Sequence, residues 1–109
     1  MVISLRNQKE ETYLEVEFYK DNSGFTFDIT GHYYTYTDHV LELYKNEEIE
    51  AVKVWMDTLK EFGSFDEWFW EHALTEKNPY EVDLDRAYDI ILEKMQGYAK
   101  KLDLHISID

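Results

Sequence analysis

The chain has 109 residues, of which 24 are acidic and 11 basic, for a formal net charge of -13. Duplex nucleic acid and anionic membranes both select a basic patch. The densest basic cluster here is Lys100-Lys101, so direct binding to either is not expected. The absence of cysteine removes disulfides, thiolate metal sites and a Cys nucleophile together, and it fits a reducing cytoplasm, the compartment expected for this chain.

Hydrophobic residues make up 44% of the sequence and aromatics 17%, enough to build a core and to argue against wholesale disorder. A chain of this length is read as a single domain, residues 1–109. The acid surplus does not lie in a tail. Residues 38–81 hold 12 acids and 4 bases, a net of -8, against -3 for residues 1–37 and -2 for residues 82–109. Met1-Val2-Ile3-Ser4-Leu5-Arg6 lacks the pattern of a signal peptide, and no apolar run approaches the ~18 residues of a membrane span.

Taken in chain order, residues 2–6 alternate weakly, as an edge strand would. Residues 12–19 alternate cleanly, with Leu14, Val16 and Phe18 on one face and Tyr13, Glu15, Glu17 and Tyr19 on the other. Asp21-Asn22-Ser23-Gly24 is a dense turn signal. Phe25, Phe27 and Ile29 then alternate with Thr26, Asp28 and Thr30, completing a hairpin. Gly31 reads as a bulge or bend, and the β-branched and aromatic run His32–Thr37 reads as a further strand. Residues 39–44 fit either a strand or the first turns of a helix capped by Thr37 or Asp38.

The period changes after residue 46. Asn46 is expected to cap a helix whose inner stripe is Ile49, Val52, Trp55, Met56, Leu59 and Phe62, ended by Gly63. Ser64-Phe65-Asp66-Glu67 reads as a capping box for a short helix to about residue 75. Residues 77–80 read as a loop. Asp83 is expected to cap a last helix carrying Leu84, Ala87, Tyr88, Ile91, Met95, Tyr98 and Leu102 on one face. Leu104, Ile106 and Ile108 suggest a closing strand. The fold class is therefore α+β: an antiparallel sheet of three to four strands, an N-terminal meander with a C-terminal addition, packed against two to three helices.

Two groups of residues suggest a binding surface. Glu47, Glu50, Asp57 and Glu61 lie roughly opposite the apolar stripe of the first predicted helix, and Asp66, Glu67 and Glu71 continue on the next. A helix rises ~1.5 Å per residue, so carboxylates a turn apart can track a row of phosphates. Lys53 and Lys60 interrupt the row, and the plainer reading of such a face is solubility. Beside it, Phe65 and Trp68-Phe69-Trp70 place more large aromatics in sequence than one buried stripe holds. Trp68 or Trp70 is thus expected at a partner surface. The tyrosines Tyr33, Tyr34 and Tyr36 are read as cross-strand pairs, because a base-stacking platform needs a positive groove.

Nothing in the sequence names a reaction. His32, His39, His72 and His105 form no metal-ligand motif, the serines sit in no nucleophile motif, and the four glycines form no phosphate loop. Catalysis, a metal and a cofactor are not expected. In general type, small, acidic and cysteine-free, the chain is similar to phage anti-defence inhibitors, including anti-CRISPR and anti-restriction proteins, and to immunity proteins that neutralise nuclease toxins. This is a likeness of composition and not of motif. It implies an inhibitor, in the manner of a DNA mimic, whose partner is a basic protein such as a nuclease or another nucleic-acid-binding effector. Two other classes fit the composition: a phage or bacterial structural or adaptor protein that self-associates through its aromatics, and a small-molecule binder with a tyrosine-rich pocket.

Overall fold

The computed structural model describes residues 1–21, 24–73 and 84–109. Its elements are β1 (Val2–Arg6), β2 (Thr12–Asp21), β3 (Gly24–Gly31), α1 (Tyr33–Lys45), α2 (Ile49–Gly63), α3 (Phe65–Ala73), α4 (Leu84–Leu102) and β4 (His105–Ile108). The strands form one antiparallel sheet in the order β3-β2-β1-β4. The α+β class and the N-terminal meander stand, and the C-terminal strand pairs beside β1. Four helices, not two to three, are present among the described residues.

The additional helix is α1, where residues 32–37 read locally as a strand. His32 still donates its amide to Tyr13 in ladder fashion, but the chain then turns, and the Thr35 and Tyr36 amides donate to the His32 carbonyl. Packing favours the helix: Tyr36, Val40 and Leu43, half-buried against the core, recur at i, i+4 and i+7. Their combined burial outweighs the β preference of Tyr and Thr, which is a weak prior.

The sheet's inner face is built by alternation, although Ser4 of β1, between Ile3 and Leu5, is buried as well. Ile3, Leu5, Leu14 and Val16 are fully buried, and Phe18 and Phe27 nearly so. Ile3 sits opposite Val16 and Ile108, and Leu5 opposite Leu14 and Ile106. The pairing of β1 with β2 slips between Leu5 and Arg6. This bulge re-aims Tyr13, which the uninterrupted alternation places outward. Tyr13 is instead buried at 2% exposure, with its ring 5.1 Å from that of Trp55.

The helices cover this one face. Trp55, Thr58 and Phe62 of α2, Phe65 and Phe69 of α3, and Ala87, Ile91, Met95, Tyr98 and Leu102 of α4 close the core. Phe69 meets Phe27 edge-to-face at 4.5 Å, and Phe62 meets Tyr98 at 5.0 Å. The inner stripe of α2 is rotated from the expected one. Thr58 is buried, its hydroxyl donating to the Val54 carbonyl at 2.8 Å, whereas Ile49 and Met56 are about half exposed.

The helix ends also differ from expectation. Asn46 closes α1 and does not open α2, whose first flanking residue is Glu48. The Glu48 amide donates to the Leu43 carbonyl and the Glu47 amide to the Tyr44 carbonyl, with Glu47 at φ 60°. This is the double hydrogen bond of a Schellman ending. Ser64 terminates α2 by donating its hydroxyl to the Lys60 and Glu61 carbonyls. The expected cap at Asp83 and the loop at 77–80 lie outside the described residues.

Candidate partner-binding surface

The acidic residues singled out on α2 do gather, with one exception. At ~100° per residue, Glu50, Asp57 and Glu61 fall within an arc of about 40° on the helix. Glu47 lies off the helix in the turn before it. Lys53 and Lys60 occupy the adjoining arc, with Ile49 and Met56 beyond them. The face is therefore three parallel stripes, acidic, basic and apolar, rather than an acidic row broken by lysines. On α3, Glu67 and Glu71 are exposed. The side chains of Asp66 and Trp70 lie outside the described residues.

Pairing takes up only part of this charge. Lys53 reaches Glu50 at 3.4 Å across an exposed helix turn, a contact worth ~0.5 kcal/mol or less. Lys94 reaches Glu61 at 3.6 Å. Asp57, Glu67 and Glu71 are exposed and enter no ion pair among the described residues.

Trp68 is not a free anchor. It is half-buried, its ring stacks on Phe65 at 5.6 Å and 13°, and the Lys94 ammonium sits 5.0 Å from the ring centroid and 5.2 Å from that of Tyr98. Trp68, Lys94 and Tyr98 line a cleft of about 550 Å³ together with Glu61, Ile90, Glu93, Gly97 and Lys101. Burial, and then the neighbouring Glu61 carboxylate, push the Tyr98 phenol well above the ordinary tyrosine range. The cleft thus holds an internal cation on an aromatic wall, braced by a carboxylate.

Two further features went unmarked at the level of sequence. The outer sheet face carries Glu17 directly opposite Asp28, with Tyr19 donating its hydroxyl to Asp28. His32 Nε2 lies 3.5 Å from Glu15 on the same sheet, without hydrogen-bond geometry. The period-two alternation already turned Glu15, Glu17 and Asp28 outward; their cross-strand register was the missing part. The second feature is α1, whose outer face exposes Tyr33, Tyr34, Leu41 and Tyr44. With residues 32–37 read as a strand and 39–44 as either strand or helix, the segment had no continuous outer helical face to inspect.

No group of three or more potential metal ligands gathers among the described residues, and no described helix is long and apolar enough to cross a membrane. No protein-family model, curated protein or solved structure matches the chain.

Proposed function

We propose that the chain is a stoichiometric inhibitor that occupies the basic nucleic-acid groove of a nuclease or related effector. The observation that carries this reading is the exposed carboxylates of Asp57, Glu67 and Glu71, which enter no ion pair among the described residues, on a chain of net charge -13. Such groups are costly to crowd together and gain most when an external cation meets them. Against a partner's Lys and Arg, the carboxylates take the places of phosphates and exclude the nucleic acid by occupancy. Long-range attraction speeds encounter, and apolar contact slows dissociation. An immunity protein against a nuclease toxin would use the same chemistry on a different partner.

The test is competition. A partner captured on the immobilised chain and then purified should release it when duplex DNA or RNA is added at low salt. A partner that holds the chain and its nucleic acid together contradicts the reading.

A second reading, a structural or adaptor protein that self-associates through its aromatics, draws on the exposed tyrosines of α1. Sedimentation separates the two: this class requires a homo-oligomer at micromolar concentration, and the inhibitor reading expects a monomer.

A further inference from the structure

We infer that the outer face of α1 is the anchoring surface, and that it takes a protein partner presenting an apolar ridge flanked by Lys or Arg. This rests on the reading of the chain as a ligand for a basic protein, and assigns the apolar half of that contact to α1 instead of the tryptophans of α3.

The apolar part is continuous. Tyr34, Leu41 and Tyr44 recur at i, i+7 and i+10 and therefore share one side of the helix, with exposures of 83%, 53% and 65%. Tyr33 lies alongside at 63%. No residue of α1 is fully buried, so its outward side chains are not there to fill the core. Two of them, Tyr33 and Tyr34, are braced by ring contacts. Tyr33 packs edge-to-face on Tyr34 at 5.9 Å and on Tyr36 at 5.7 Å, and Tyr36 packs on Phe62 of the core at 6.4 Å. An exposed tyrosine has few rotatable bonds and loses little entropy when covered, which is what makes it an effective anchor.

Charge decides the occupant. Along one flank of the stripe runs a cleft of about 410 Å³ lined by Glu11, Asp38, Glu42 and Asp103, with Lys9 the opposing charge and Tyr13 and His39 in its wall. At the far end of α1 stand Glu47 and Glu48, with Lys45 the one base. Acids outnumber bases along this flank and at this end of the apolar stripe. A second copy of this chain would set these acids against their equivalents, a like-charge arrangement that costs affinity. A guanidinium or ammonium group entering the cleft meets carboxylates while its neighbouring apolar residues cover Leu41 and the tyrosines.

The experiment is a titration of the full ¹⁵N-labelled chain, at low salt, with a synthetic amphipathic peptide of ~18 residues bearing Leu on one face and Arg on the other. One control peptide replaces Leu by Ser and a second replaces Arg by Glu. Amide shifts should concentrate on residues 33–45, Glu11 and Asp103. Affinity should fall at least about fivefold for Leu41→Gln, for Tyr34→Ser and for Asp38→Asn, and by a similar factor for each control peptide. These side chains are exposed, so circular dichroism should show the fold unchanged. Shifts confined to Glu50, Asp57, Glu67 and their neighbours would overturn the α1 assignment and leave the inhibitor reading standing. The absence of any salt-sensitive shift would overturn that reading itself. Concentration-dependent shifts on α1 without peptide would overturn the basic partner in favour of a second copy.

Discussion

Glu47 occupies a backbone conformation that glycine adopts freely and other L-residues resist. Asp103 does the same at the end of α4, where the Leu104 amide donates to the Ala99 carbonyl. Glu47→Gly should therefore stabilise the fold by about 1 kcal/mol in denaturant unfolding, while removing one carboxylate from the end of α1. Tyr19 makes a second residue-scale prediction. Its hydrogen bond to Asp28 raises the phenol from 10 to about 12, so the fold favours the protonated form. That contribution is complete below about pH 10 and is lost as pH climbs through about 12. In Asp28→Asn, the Tyr19 ring titrated by NMR should ionise nearer to the ordinary tyrosine value; an unchanged midpoint would remove the bond from the account. Neither site was legible in the sequence. A left-handed Glu carries no local mark, and Tyr19 and Asp28 meet only through the register of β2 and β3.

At the scale of elements, period-two alternation was enough for most of the sheet, because one face is core and the other largely solvent, with Ser4 of β1 buried as well. It failed at Tyr13, where a bulge shifts the side chain by half a period, and in α1, where the deciding positions Tyr36, Val40 and Leu43 straddle a segment that reads as two pieces. The rotated stripe of α2 has a similar cause. Thr58 counts as polar in a pattern but is buried with its hydroxyl bonded to Val54, and Met56, apolar in the pattern, is left outside. The helix assignment of α1 has a direct test. Leu41 is 53% exposed, so Leu41→Gln should change stability by no more than ~0.5 kcal/mol. Leu41→Pro should cost ~3 kcal/mol or more, because it breaks a helical hydrogen bond and clashes with the preceding turn. An exposed edge strand would tolerate proline far better, so equal stability of the two variants in urea unfolding would argue for the strand.

At the scale of the whole molecule, the charge is the organising fact. The acids are spread over α1, the α2–α3 side and the outer sheet face, with Lys53, Lys60, Lys94 and Lys101 interleaved on the helices. The sequence grouped Glu50, Asp57 and Glu61 on one helix, where the structure also has them, but it put Glu47 there too and showed neither the stripes into which these charges sort nor the cation already seated on Trp68, since both depend on helix rotation and on α4 packing. A net charge of -13 repels itself, so the melting temperature should rise by several degrees as salt is added from ~10 to ~200 mM. A flat response would mean that the local pairs already neutralise the field. The most direct measurement is the dissociation constant of the complex with a purified partner, followed from ~50 to ~300 mM salt. Recognition of a basic groove by these carboxylates predicts a loss of affinity of tenfold or more over that range, on the order expected when several charge contacts are screened. An affinity that stays flat would contradict it.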